Sequence, residues 1–148
     1  MDKIIIYCDG ACRGNNLPIE QRIGAYAYKL IYNNHVKFGG SAEKATTNNI
    51  MEMKALLYAL KALKPSAKEM EIEVFTDSNY VVSGLNSWWD GWVKKNFSGV
   101  KNLELWQELR ALFDSFPHIS INWVKGHAGN SDNEDVDTYC NKLMDEVK

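Results

Sequence analysis

The order of elements written into this chain predicts an α/β fold, a mixed sheet with helices packed on its faces. Three observations carry that expectation. Strand-forming segments come first, two of them joined by a tight turn signal. A long helical repeat follows, and after it short strands alternate with helices to the end.

Each element has its own signature. Lys3 to Asp9 is β-rich and bounded by Gly10, which predicts a first strand. Ile23 to Tyr32 alternates small and aromatic residues and forms a second, Asn33-Asn34 marks a turn, and Val36 to Ser41 returns as a third. In the segment Asn48 to Leu63, Met53, Leu56, Leu57, Leu60 and Leu63 recur at helical spacing. Thr47 or an adjacent Asn can cap its start, and Pro65 closes it. Glu71 to Thr76 reads as a short strand and Ser78 to Leu85 as a short helix. Leu105, Trp106, Leu109, Leu112, Phe113 and Phe116 define a further helix, capped by Asn102 and stopped at Pro117. Ile119 to Val124 alternates as a strand. Ser131 and Glu134 make a capping-box pattern that opens a last helix, with Val136, Tyr139, Cys140, Leu143, Met144 and Val147 on its apolar face.

The 148 residues suit one domain, expected to span 1–148, and a hydrophobic share of 45% is enough for a real core. No apolar run approaches the roughly 20 residues a membrane helix needs, and the first residues lack a signal peptide's apolar stretch and cleavage site. No membrane association is therefore expected, and the chain is read as a cytoplasmic monomer. Cys8, Cys12 and Cys140 are an odd number with no second Cys/His pair at matching spacing, so they are read as free thiols rather than a zinc site. A net charge of −2 argues against nucleic-acid binding, because phosphate contacts need a basic surface. That objection weakens if several acids are gathered around cations.

Four acids stand where chain geometry can gather them. Asp9 and Asp77 end strands, and ligand sites in α/β sheets favour the carboxyl ends of strands. Glu52 lies in the first turn of its helix, and Asp137 lies at the margin of the last helix's apolar face. Singly, each has a plainer reading. Asp9 before Gly10 is also a turn residue, Glu52 also a capping glutamate, Asp77 also an N-cap, and Asp137 also a solvated helix residue. Together they are a different matter. Two like charges ~4 Å apart repel by about 4 kcal/mol at an effective dielectric near 20. Such a group must take up protons or bind cations. An all-oxygen site suits Mg²⁺ or Mn²⁺, and two such ions ~3.5–4 Å apart serve phosphodiester hydrolysis.

At these residues the sequence resembles a known family, type 1 ribonuclease H, the bacterial-type ribonuclease HI. The resemblance is carried by Tyr7-Cys8-Asp9-Gly10-Ala11-Cys12-Arg13-Gly14-Asn15, Thr46-Thr47-Asn48-Asn49-Ile50-Met51-Glu52-Met53, Phe75-Thr76-Asp77-Ser78-Asn79-Tyr80-Val81, Trp123-Val124-Lys125-Gly126-His127-Ala128-Gly129-Asn130 and Asn133-Glu134-Asp135-Val136-Asp137. These run in the family's order along the chain. The resemblance implies a five-stranded mixed sheet of order 3-2-1-4-5. It also implies two-metal-ion, Mg²⁺-dependent cleavage of the RNA strand of RNA–DNA hybrids, leaving 5′-phosphate and 3′-hydroxyl ends, with Mn²⁺ a possible substitute. Asp9, Glu52, Asp77 and Asp137 match the family's catalytic, metal-holding acids. His127 matches its loop histidine, linked to proton transfer or product release; the plainer reading is an exposed loop residue.

By similarity Asn15, Asn48, Asn49 and Asn79 contact the minor groove or backbone, and Thr47 a DNA-strand phosphate. Amides suit this because each donates and accepts a hydrogen bond without demanding a particular base. Thr47, Asn48 and Asn49 are equally read as helix caps, and the two roles coexist. The segment from Trp88 to Phe97 resembles the family's basic handle, with Trp88, Trp92, Lys94 and Lys95 as hybrid contacts; the tryptophans are equally read as packing the handle onto the core. The handle is short, with few lysines, and the segment from Asn15 to Arg22 departs from a compact Gly/Pro-rich turn. A 3′–5′ exonuclease of the same superfold is disfavoured, since its first strand carries Asp-x-Glu and here Asp9 precedes Gly10-Ala11. A non-catalytic hybrid-binding module need not keep all the acids, and none is missing here.

Overall fold

The computed structural model describes residues 2–126 and 131–147. Five strands, β1 (Lys3–Arg13), β2 (Ile23–Tyr32), β3 (His35–Lys44), β4 (Glu71–Thr76) and β5 (Ile119–Trp123), form one sheet of order β3-β2-β1-β4-β5. This is the order the resemblance implies. β1, β2 and β3 are joined antiparallel, and β4 and β5 add in parallel beside β1. The hairpin turn at Asn33-Asn34 lies where expected, with Asn33 in the left-handed region at φ 53°.

Side-chain alternation divides the sheet into two faces. On one, Ile4, Ile6 and Cys8 of β1 pack with Ile72 and Val74 under α1 (Asn48–Lys61) and α4 (Leu103–Asp114). α1 lies between the sheet and α4, so Met51, Met53, Ala55, Leu56, Leu57, Ala59 and Leu60 are all buried and its apolar surface is far wider than one stripe. On the other face, Tyr7, Ala25 and Ala27 pack against Val136, Cys140 and Met144 of α5 (Ser131–Asp145). All three cysteines are free and buried, as expected. Among the described residues no helix is long and apolar enough to cross a membrane.

Four local expectations are corrected. β1 does not stop at Asp9 but runs on to Arg13, because β2 continues to pair with it as far as Arg13↔Ile23. The helix after Asp77 is longer than Ser78 to Leu85. It runs as α2 (Asn79–Ser83), a π-helical turn (Gly84–Trp88) and α3 (Trp89–Lys94), held by burial against Trp106; a Cβ on Gly84 would lie 2.0 Å from that indole. Asn102 precedes α4 but does not cap it with its side chain. Its amide donates instead to the Tyr80 hydroxyl at 3.3 Å, and its backbone is left-handed. Ser131, expected as a cap, is itself helical in α5.

Candidate functional site

The acids meet where β1 loses its parallel neighbour. The β1–β4 ladder ends at the pair Cys8↔Thr76, so the next residues, Asp9 and Asp77, stand at the same level of two adjacent strands. Asp9 is thus in mid-strand, still paired with Ala27 on its other side, but open where β4 has ended. Alternation sends its side chain to the α5 face, where it is hydrogen-bonded to Asp137. Asp77 is held by its backbone: Trp123 Nε1 donates to its carbonyl at 3.1 Å, while the Val124 N–H takes the carbonyl of Thr76 at 2.9 Å.

Glu52 arrives from the opposite face. Gly10 makes this possible, because a Cβ there would lie 2.4 Å from the backbone nitrogen of Glu52 and the carbonyl carbon of Met51. The first turn of α1 therefore rests directly on the β1 backbone. The Glu52 carboxylate is hydrogen-bonded to Ser78, whose hydroxyl also accepts from the Val81 N–H at 3.1 Å and caps α2. Past β5, Gly126 comes so close that a Cβ would stand 2.8 Å from Oδ2 of Asp77. The residue after it, His127, lies outside the described residues.

The charges are not independent. Burial, the neighbouring charge of Asp77 and the hydrogen bond to Asp137 push the Asp9 carboxyl up to about 9. Burial pushes Glu52 up to about 7; the Ser78 hydroxyl acts against this and the charge of Asp77 adds to it. Among the described residues no Lys or Arg pairs with Asp9, Glu52 or Asp137. Nor, among those residues, do three acid, His or Cys side chains already stand at ligating distances. Asp9 instead keeps its own proton and is hydrogen-bonded to Asp137. The donor set still fits a hard divalent cation. It is all oxygen, drawn from β1, α1, β4 and α5. A cation would displace the proton and re-aim the carboxylates.

The other expected residues fall in two places. Thr47 caps α1, its Oγ1 accepting from the Ile50 N–H at 3.2 Å, and Asn48 and Asn49 are exposed beside it. Asn49 faces a groove of about 260 Å³ whose other wall is the handle: Tyr80, Trp92, Lys95, Lys101 and Asn102. Trp92 packs its ring 5.2 Å from that of buried Trp106, and Trp88 lies 6.0 Å from Trp92 but is 43% exposed. The packing role and an outward aromatic surface thus occur together. Lys94 and Lys95 are exposed, as is Asn79, whose side-chain oxygen accepts from the Ser83 hydroxyl. Asn15 is exposed on the loop after β1, six residues past Asp9. Tyr80 and Asn102 were missed as groove residues. A tyrosine in a short helix and an asparagine before a longer one carry no sequence signal of meeting each other. A larger groove, about 530 Å³ and lined by Ile4, Leu30 and Leu63, lies at the other end of β1, and no acid lines it.

Comparison with known proteins gives a consistent picture. The RNase H family matches residues 1–144. The chain is 42% identical over 153 residues to a ribonuclease H of Campylobacter concisus, covering 100% of this chain and 99% of that protein. It is 44% identical over 140 residues to a ribonuclease HI of Campylobacter jejuni, covering 95% of this chain and 90% of the relative. Among solved structures it resembles LC9-RNase H1, a type 1 RNase H with the type 2 active-site motif, at a TM-score of 0.83 and 27% identity over 98% of this chain and 73% of that one.

Proposed function

The chain belongs to the ribonuclease H family, and from that membership we propose that it is an endonuclease hydrolysing the RNA strand of RNA–DNA hybrids. One observation supports the reading beyond the family name: Asp9 and Asp77 stand level just past the last β1–β4 pair, with Asp137 hydrogen-bonded to Asp9 from one face and Glu52 electrostatically coupled to Asp77 from the other. Asp9, Glu52, Asp77 and Asp137 would hold Mg²⁺, with Mn²⁺ as a substitute. When bound, paired ions activate water on one side of the phosphodiester and stabilise the leaving oxygen on the other, which yields 5′-phosphate and 3′-hydroxyl ends.

The protein's own part is to hold carboxylates at fixed places and to seat the duplex. Gly10 and Ser78 set Glu52, the end of β4 sets Asp77, and α5 carries Asp137 to Asp9. The raised Asp9 and Glu52 carboxyls give up their protons on ion binding, so activity rises with pH. His127 takes the family's loop-histidine role in proton transfer or product release. Asn15, Thr47, Asn48, Asn49 and Asn79 read the groove and backbone, where the 2′-hydroxyl separates RNA from DNA. Trp88, Trp92, Lys94 and Lys95 grip a sugar–phosphate backbone of the hybrid. The reading takes residues 1–148 as one type 1 domain acting as a monomer in the cytoplasm.

The test is incubation with end-labelled hybrid, duplex DNA, duplex RNA and single-stranded RNA, each with and without Mg²⁺. Cleavage confined to the RNA of the hybrid and dependent on Mg²⁺ is expected. Equal cutting of duplex RNA, or cutting that survives chelation, would refute it.

A further inference from the structure

We infer that Lys29 is a positioning residue for the acid site, a clamp that fixes the roll of α5 and thereby holds Asp137 against Asp9. The inference rests on the functional reading above and names a part of the machinery outside the acids themselves.

Lys29 is only 8% exposed, rare for a lysine, and lies on β2 opposite Tyr7, on the face that α5 covers. Its Nζ is 2.8 Å from Oδ1 of Asp132 and 2.8 Å from Oδ2 of Asp135. One buried cation thus takes two carboxylates one turn apart. α5 seats Asn133, Val136, Cys140 and Met144 into the sheet. About that buried stripe the helix has two flanks. Asp135 stands with Thr138 and Tyr139 on the flank beside Phe38 of β3. Asp137 and Asn141 stand on the flank over β1, where Asn141 receives Arg13 and Asp137 meets Asp9. Residues 135 and 137 are about 200° apart around the axis at 3.6 residues per turn. A pull on one flank is therefore opposed by contacts on the other, and together they set the rotation.

Apolar contact alone does not set it as closely. Of the buried apolar sheet residues against α5, Ala25 and Ala27 offer only methyl groups beside the larger Tyr7, and smooth methyl surfaces key the rotation of a helix weakly. At a side-chain radius of about 5 Å, a roll of about 20° carries Asp137 about 2 Å. Ligand distances at a metal site tolerate only about 0.2 Å. Only the cation is buried, the Asp132 and Asp135 side chains being 36% and 52% exposed, so the pairs add little stability and serve to fix register.

The test compares the wild type with Lys29→Met, Lys29→Arg and the core variant Leu109→Ala, which is fully buried under the opposite face. Three quantities are read: the Mg²⁺ concentration for half-maximal cleavage, Mn²⁺ affinity by calorimetry without nucleic acid, and the carboxyl ¹³C shift of Asp137. In Lys29→Met the half-saturating Mg²⁺ should rise about tenfold, Mn²⁺ affinity should fall in step, and the Asp137 shift should move, with KM for hybrid within twofold of wild type. Lys29→Arg should restore all three to within about threefold, while Leu109→Ala should lower the melting temperature and move none of them. A folded Lys29→Met with wild-type metal affinity and an unmoved Asp137 shift overturns the clamp. If Lys29→Met does not fold, Asp135→Asn replaces it, with an expected threefold rise in half-saturating Mg²⁺, and no rise is the refuting result. A wild type that neither binds Mn²⁺ nor cleaves hybrid refutes the functional reading instead, and the Asp137 shift still decides on the clamp.

Discussion

Replacing Asp9 by Asn should make the metal-free protein more stable at alkaline pH, and by an amount that the site's electrostatics set. In the folded chain the Asp9 carboxyl is pushed up to about 9, against 3.8 for an ordinary aspartate. Below the ordinary value both folded and unfolded chains carry the proton and nothing depends on it. Above that value the unfolded chain has released it while the folded chain still holds it. Folding then takes up a proton, and stability falls as pH rises until the folded carboxyl itself ionises. The slope for one proton is about 1.4 kcal/mol per pH unit, so from pH 5 to 8 Asp9 accounts for a loss of about 4 kcal/mol. Glu52, raised from 4.5 to about 7, adds to the slope in the lower part of that window.

Asn keeps the shape of Asp9 and can donate to Asp137, but it has no proton to lose. Urea unfolding in the presence of a chelator, at pH 5, 6.5 and 8, is the assay. At pH 5 the variant should already lead by about 1–2 kcal/mol, because the unfolded chain ionises from 3.8 upward, and that lead should grow by about 4 kcal/mol by pH 8. Mg²⁺ at a hundred times its dissociation constant should return about 2.7 kcal/mol to the wild type at pH 8. Little of this should be seen in the variant. Stability curves that run parallel from pH 5 to 8 would refute the reasoning, as would a wild type that grows more stable over that range.

Three further outcomes follow from the geometry. Asp77→Asn should abolish Mg²⁺-dependent cleavage of end-labelled hybrid while leaving the circular dichroism spectrum of the wild type; full turnover by that variant would remove Asp77 from its role. Gly10→Ala should cost about 1–3 kcal/mol, because its methyl would meet the backbone of Met51 and Glu52 at 2.4 Å and must push α1 off β1. Its cleavage rate should fall more than its melting temperature alone accounts for. Tyr80→Phe strips the acceptor from the Trp106 Nε1–H, 2.9 Å away and fully buried, and should cost about 1–3 kcal/mol by urea unfolding with kcat unchanged.

How far the sequence was legible depended on how local each signal was. The bounds of β4, the Asn33-Asn34 turn and the Thr47 cap of α1 are decided by a few neighbouring residues, and all lie where the pattern puts them. β1 was read too short because Gly10 looks like punctuation. Its missing side chain serves a contact with α1, forty residues on, and a strand can continue through it while β2 still pairs. The turn at Gly84–Trp88 was unreadable for the same reason, since what holds it is the indole of Trp106. Asn102 looked like a cap, but its partner is Tyr80. In each case a residue with a strong local meaning was answering to a distant one.

The acid site shows the same division. That Asp77 follows the end of a strand is a local property, and it was legible; Asp9 instead sits in mid-strand, just past the point where β4 stops pairing with β1. That they lie at the same level is a matter of register, and nothing in either segment states that Cys8 will stand opposite Thr76. Register also resolves the objection raised by a net charge of −2. Charge averaged over a chain misleads when part of it is concentrated. Asp9, Glu52, Asp77 and Asp137 are electrostatic neighbours, and with these four of the 19 acids set aside the chain carries 17 basic and 15 acidic residues. The exposed Lys94, Lys95 and Lys101 of the handle then belong to a surface that attracts phosphate, even though the chain as a whole is acidic.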